Sequence, residues 1–289
     1  MATGLEIPVF GARAASSAVQ LGASRIELNA AGSYPDGGLT PSIEDLERVA
    51  HLDVPVRIMI RPRGPPPRSA GRDFMYSDEE FEQMTTAIQR FKETGLLDEV
   101  RGDGFVFGIL KEDQSRRDVS QAQDSRKGDP IFPQSSRAAD LYSPRCMVDK
   151  ERCMRLVQAA RPLKAVFHRA FDEIVSCIEE GHDPNERQSW SIGLDDLATC
   201  GFDAILTSGG LGKAIQNIDR LEEVIVRAEG LGIEIIVGGG VRRGNVGELI
   251  QRLQLKEKTY ANHVHSACLS AAGSDYVNAE EVAAILSQL

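Results

Sequence analysis

Ala204-Ile205-Leu206-Thr207-Ser208-Gly209-Gly210, an amphipathic stretch over 217–229, and then Ile233-Glu234-Ile235-Ile236-Val237-Gly238-Gly239-Gly240 together decide the fold. A short apolar run ends in polar residues and glycine. Helical periodicity follows, and a second apolar run ends in three glycines. Apolar runs of this length around a helical pattern read as strand, helix, strand. Such a unit makes its two strands parallel neighbours with the helix packed across them.

The same alternation extends in both directions. Further apolar runs lie at 5–10, 25–28, 54–60, 104–110, 165–167 and 262–265, and helical stretches at 14–21, 42–49, 78–94, 149–160, 194–200 and 245–253. Ser42 precedes Ile43-Glu44-Asp45 as an N-cap whose hydroxyl can satisfy a free amide of the first turn. Eight strand candidates alternating with helices predict a parallel (β/α)8 barrel of the TIM type, because closure removes the sheet edges. An open doubly wound sheet would call for a GxGxxG turn after the first strand, and Phe10-Gly11-Ala12-Arg13 is not one. The 289 residues are expected to form one domain, since such barrels run to about 250 residues or more as a unit. Three polar stretches read as surface insertions: 64–71 with Pro65, Pro66 and Pro67, 114–145, and 180–189. The second is rich in Ser, Gln, Arg and Asp and is expected to be a flexible insertion, with too little apolar surface to offset its ordering.

Lys and Arg total 33 against 43 Asp and Glu, a net charge of −10, with no basic stripe; this argues against nucleic acid as a partner. No apolar run approaches the roughly 20 residues of a membrane helix, and residues 1–6 lack the pattern of a secretory signal. Ser287-Gln288-Leu289 loosely echoes a peroxisomal address but lacks its lysine. Five cysteines without a CxxC pair suggest a reducing compartment. Cys146, Cys153, Cys177 and Cys200 read as small buried apolar residues.

In a barrel the C-terminal ends of the strands deliver side chains to one face. That rule gathers Glu6, Glu27, Arg61, Arg63, His168, Arg169, Asp172, Thr207, Ser208 and His265 into one constellation. Glu27, His168 and Asp172 are the candidate catalytic groups, with Glu27 and His168 as a base and an acid. Arg61 and Arg63 carry the planar fork suited to carboxylate or phosphate, and Thr207, Ser208, Gly209, Gly239 and Gly240 let an anion approach backbone amides. Asn245 opens the next helix and could help hold that anion. His168 and His265, with Cys268 just beyond, are the candidate metal ligands. Glu6 and Arg61 could alternatively form a buried pair that fixes the barrel mouth. Residues 263 and 265 share a strand face, with His263 one layer deeper.

Several motifs in order resemble the CutC copper-homeostasis family. They are Leu5-Glu6, Arg25-Ile26-Glu27-Leu28, Gly37-Gly38-Leu39-Thr40-Pro41-Ser42, Ile60-Arg61-Pro62-Arg63-Gly64, Phe74-Met75-Tyr76-Ser77-Asp78, Gly104-Phe105-Val106-Phe107-Gly108, Phe167-His168-Arg169-Ala170-Phe171-Asp172, Leu206-Thr207-Ser208-Gly209-Gly210 and Gly238-Gly239-Gly240-Val241. The likeness runs from residue 5 to about 267 and implies a cytoplasmic TIM-type barrel, homodimeric or of higher order, tied to copper homeostasis and copper binding. Family members often carry Cys at the end of the first strand and just after the Glu-Leu of the second, where this chain has Val9-Phe10 and Asn29. The stretch His265-Ser266-Ala267 is a residue shorter than the usual form, and 114–145 lies outside the family pattern. Three readings follow: a CutC-like protein of copper homeostasis that binds copper, an enzyme acting on a small anionic or phosphorylated metabolite, and a structural or interaction barrel.

Overall fold

The computed structural model describes residues 3–67, 71–113, 145–177, 188–269 and 275–289. Its strands are β1 (Gly4–Phe10), β2 (Arg25–Asn29), β3 (Val56–Met59), β4 (Gly104–Phe107), β5 (Leu110–Glu112), β6 (Cys146–Val148), β7 (Lys164–Phe167), β8 (Ala204–Thr207), β9 (Glu234–Val237) and β10 (His263–His265). Eight of them close into a parallel barrel in the order β1-β10-β9-β8-β7-β4-β3-β2, as the alternation predicts. Around it lie α1 (Ala12–Gln20), α2 (Ile43–Val49), α3 (Asp78–Glu93), α4 (Lys150–Ala160), α5 (Ala170–Val175), α6 (Ser189–Cys200), α7 (Ile218–Leu231), α8 (Val246–Leu253) and α9 (Ala279–Leu286). Among the described residues no helix is long and apolar enough to cross a membrane.

Helix starts follow local chemistry. Ser42 accepts from the Asp45 amide, as expected, and Ser77 forms a reciprocal capping box with Glu80 at the head of α3. The run 104–110 is not one strand. The chain leaves the barrel at Gly108, where a Cβ would meet the His168 ring at 2.9 Å, and resumes as β5. β5 pairs antiparallel with β6, and between them 114–144, nearly all of the expected insertion, lies outside the described residues. Residues 178–187, most of the third polar stretch, do so too. Trp190 lies in the first turn of α6, where the Arg220 guanidinium stacks over its ring at 5.2 Å from the centroid.

The strands alternate strictly, and the two faces differ in kind. Outward residues such as Ile7, Ile26, Ile58, Phe105, Phe167, Ile205, Ile235 and Val264 pack against the helices in the main core. Inward residues divide the barrel interior into two walls. Met59, Val106, Val166, Ala204, Leu206 and Ile236 form a separate apolar cluster. On the other side β1, β2 and β10, with the foot of β9, contribute Glu6, Arg25, Glu27, His263, His265 and Glu234. This wall is an ionic network: Arg25 contacts Glu6 through Nε and reaches Glu234 at 3.1 and 3.2 Å, His263 bonds Glu234 at 2.8 Å, and His265 bonds Glu6 at 2.7 Å.

The expected Glu6–Arg61 pair does not form. Register places Glu6 level with Arg25 and His265, and Glu27 level with Arg57. Arg61 lies four residues beyond Arg57, about 13 Å further along an extended chain, and pairs instead with Asp73 at 2.9 Å.

Gly104 leaves the room that the buried Arg57 guanidinium occupies: a Cβ there would overlap the Lys164 carbonyl and meet Arg57 Nη1 at 2.6 Å. Gly104→Ala should therefore destabilise by about 1–3 kcal/mol, the usual cost of overpacking. Gly230, exposed near the end of α7 with nothing near its would-be Cβ, offers the contrast. Gly230→Ala should stabilise by about 0.5–1 kcal/mol. Urea denaturation midpoints of the two variants, moving in opposite directions, check both.

Candidate functional site

Above the ionic wall, at the C-terminal ends of the strands, a cavity of about 380 Å³ opens. Of the expected site residues Glu27, Arg61, His168, His265, Gly239 and Gly240 line it. Arg169, just past the end of β7, lines it too, as do Arg242 and Phe74, which the strand-end rule does not gather.

Glu27, on β2, is buried and accepts from Asn29 Nδ2 at 3.1 Å through Oε1, while Oε2 has no partner. Burial raises its pKa and the Glu6 charge adds to this, against the attraction of His265. The side chain therefore favours its protonated form, with the O–H on the free oxygen. Glu6 differs. Burial alone would raise it, but the Arg25 guanidinium and the His265 hydrogen bond hold it well below the usual carboxylate range. For His265, burial disfavours the charge, yet its bond to Glu6 and the Glu6 charge outweigh this and raise its pKa, and Glu27 adds to the rise wherever that carboxyl ionises.

His168 departs from the acid–base role expected of it. Its Nδ1 accepts from the Ala170 amide at 3.3 Å, and its Nε2 is buried without a partner. An accepting Nδ1 leaves the ring proton on Nε2. Burial, aided by the Arg61 charge, takes its pKa from 6.5 down to about 3. The ring is thus a neutral N–H donor in the cavity rather than a base. Phe74 covers it, with ring centroids 4.7 Å apart, and the Arg61 guanidinium lies 5.0 Å from the same Phe74 ring. Phe74 takes a left-handed backbone with φ 62° to do so. Gly37 and Gly38 make room behind this group, since a Cβ on the first would meet Arg61 Nη1 at 2.7 Å and on the second would overlap Asn29 Oδ1.

Asp172 does not line the cavity. Its carboxylate accepts from Thr207 Oγ1 at 2.6 Å, Ser208 N at 3.0 Å, Ser208 Oγ at 2.8 Å, Gly210 N at 3.3 Å and Arg169 Nε at 2.7 Å. With its oxygens so occupied, Asp172 ties the start of α5 to the turn after β8 and aims Arg169. Thr207, Ser208 and Gly209 serve that junction and are likewise absent from the lining. Arg63 is held outside by Glu80 at 2.6 Å and the Met75 carbonyl at 2.7 Å. Asn245 braces the glycine turn instead of facing a ligand, accepting from Arg242 N at 2.8 Å and donating to Gly240 O at 2.9 Å. Arg242, the residue it steadies, reaches the Val241 carbonyl at 2.7 Å and Ser266 Oγ at 3.3 Å and makes no ion pair among the described residues. The strand-end rule that picked out Gly238-Gly239-Gly240 would have found Arg242 two residues on.

Cys268 is fully buried in the main core, its thiol 3.4 Å from Ser266 Oγ, and does not reach the cavity. The described His, Cys, Asp and Glu side chains whose ligand atoms converge within 4.8 Å are Glu6, Glu27 and His265, a set without His168 or Cys268. In the lining, sulfur is represented by the Met59 thioether alone. Copper(I) prefers thiolate and thioether donors, and these oxygens and one imidazole, with Arg25 against Glu6, do not suit it.

Residues 3–125 and 139–267 match the model of the CutC family. Copper homeostasis protein cutC homologs from Homo sapiens and Drosophila melanogaster are 33% and 30% identical to this chain over 248 and 274 residues. Those alignments span 86% and 94% of this chain and 68% and 80% of the relatives. The crystal structure of a copper homeostasis protein CutC from Streptococcus agalactiae shares the fold with a TM-score of 0.63 at 24% identity, over 92% of this chain and 98% of that one.

The state of Glu27 has a measurable sign. A carboxyl whose folded pKa is raised contributes stability that is full below its unfolded pKa and is lost as pH rises through the folded one. Glu27→Gln mimics the protonated form and removes that loss. Denaturant titrations between pH 5 and 8 should show the stability difference moving steadily in the variant's favour as pH rises. A constant difference would mean that Glu27 is ionised throughout.

Proposed function

This chain belongs to the CutC family, and from that premise we propose that it serves copper homeostasis, the role its relatives are named for, through a mouth that binds a small anionic organic molecule rather than copper(I). The observation that carries this is the donor character of the cavity. His168 offers a neutral Nε2–H, Glu27 favours its protonated form, and Arg242 is a guanidinium with no ion-pair partner among the described residues. Two groups with no partner of their own, beside a guanidinium with no counter-charge among the described residues, fit a ligand rich in acceptor oxygens, a carboxylate or a phosphate ester. A soft cation would meet repulsion and the wrong atoms.

In this reading Arg242 and Arg169 hold the anionic end beside the Gly239-Gly240 turn, whose positive φ values of 97° and 70° suit glycine and leave the backbone open to close approach. Asp36 lines the wall after β2, three strands away around the barrel, and orients a hydroxyl or amino group at the other end. His168 then polarises a carbonyl or stabilises an oxyanion by donation from Nε2. Glu27 delivers a proton to the adjacent atom and recovers it, with His265 and Glu6 beneath as a charged pair that sets its affinity for that proton. The family's part in copper homeostasis is then exerted through a metabolite, and the mouth works as an acid catalyst or a sensor of that molecule.

Screening inorganic phosphate and small carboxylated and phosphorylated metabolites by thermal denaturation tests the reading. A ligand that binds only the folded state should add about 2.7 kcal/mol at 100 times its Kd. Arg242→Ala should abolish this gain, while Arg63→Ala, whose guanidinium lies outside the cavity, should keep it. An undiminished gain in Arg242→Ala would sink the assignment.

A further inference from the structure

Cys146 and Cys177 are 31 residues apart in the sequence, and the structure brings them into contact on the flank of the barrel. Cys146 opens β6, and Cys177 follows α5 with its amide on the Ile174 carbonyl at 3.3 Å. The Cys146 amide donates to Cys177 Sγ at 3.4 Å, and that sulfur lies 3.9 Å from the Cys146 carbonyl and 3.3 Å from the Glu173 carbonyl. The neighbouring Cys146 thiol stabilises a thiolate on Cys177 and lowers it to about 6, while the same contact and burial raise Cys146. Both are free thiols, Cys146 buried and Cys177 partly open to solvent. The Arg72 and Arg145 guanidiniums favour negative charge on Cys177.

The other cysteines are placed differently. Cys153, Cys200 and Cys268 are buried, against the Ile109 carbonyl, the Lys150 carbonyl and Ser266 Oγ. The flank pair differs from them in that one of its two soft donors, Cys177, is partly open to solvent. A lone d¹⁰ monovalent ion is satisfied by two thiolates, and thiolate softness selects it over divalent ions that take nitrogen and oxygen.

We propose that Cys146 and Cys177 form a two-coordinate copper(I) site on the barrel flank, separate from the mouth. One copper(I) ion enters, two S–H bonds break, two Cu–S bonds form and two protons pass to solvent. No electron is transferred, and the bis-thiolate complex carries one negative charge beside Arg72 and Arg145. The proposal rests on the copper part of the family role and is independent of the anion reading of the mouth.

The test is a copper(I) titration of the reduced full chain against a competing chelator. Wild type should take up one equivalent. Cys177→Ser and Cys146→Ser should each weaken binding by at least about 100-fold, beyond the usual effect of losing a merely supporting partner. Cys268→Ser should bind as wild type does. A readout on the unaltered protein guards against misfolded variants: one equivalent of copper(I) should protect Cys177 from alkylation, read by peptide mass spectrometry. Undiminished binding in both cysteine variants, or unprotected Cys177, overturns the site. No uptake by reduced wild type, with phosphate or metabolite stabilisation intact, overturns the flank site alone. A Cys146–Cys177 disulfide forming in air together with no uptake assigns the pair to redox chemistry and also overturns it.

Discussion

The Arg25 guanidinium is the constraint on which the barrel's polar wall depends. It projects inward from β2, contacts Glu6 on β1 and spans to Glu234 on β9, so that it reaches past β10. β10 is only three residues long and has few backbone bonds with which to close the barrel. Closure there leans on side chains, since His263 bonds Glu234 and His265 bonds Glu6 from the closing strand itself. Buried charges are tolerated only when paired, and breaking one such pair costs about 3–5 kcal/mol because its partner stays behind uncompensated. The network therefore specifies how the last strand docks, whatever net stability it adds.

The same network sets the chemistry above it. Glu6 is held toward the ionised state because Arg25 and His265 meet it, and Glu27, one step up the neighbouring strand, is shifted the other way, toward holding a proton. Two carboxyls near one imidazole titrate as a set, and their environments push them apart. Neutral His168 completes the arrangement from the opposite side of the mouth, its ring buried under Phe74 and beside the Arg61 charge. Donor character in the cavity is thus a product of layers beneath and around it rather than of the lining residues alone.

The barrel and most of its strands are legible from apolar runs and glycine turns, because hydrophobic alternation and strand–helix succession are local signals. The rule that strand ends face one mouth finds Glu27, Arg61, His168 and His265. It fails wherever the answer depends on which strands lie side by side and at what height. Glu6 meets Arg25 and not Arg61 because of stagger, which no single strand encodes. Asp172 looks catalytic in a list of polar strand-end residues, yet its place in the first turn of α5 turns its oxygens toward Thr207 and Ser208. The Cys146–Cys177 contact was out of reach for the same reason, since it depends on how β6 packs beside the end of α5. Arg242 was within reach, two residues beyond glycines already singled out.

The division of the interior into a hydrocarbon wall and an ionic wall bears on how such a barrel can change over generations. On the wall of Met59, Val106, Val166, Ala204, Leu206 and Ile236, neighbours can trade volume one replacement at a time, each step costing little. On the other wall any single replacement strands a charge, so Glu6, Arg25, Glu234, His263 and His265 can be exchanged only in concert. Lineages should therefore drift freely along one side of the barrel and stand still on the other. New ligand preferences are then most accessible from the hydrocarbon side, where shape can be retuned without disturbing the proton-bearing groups opposite.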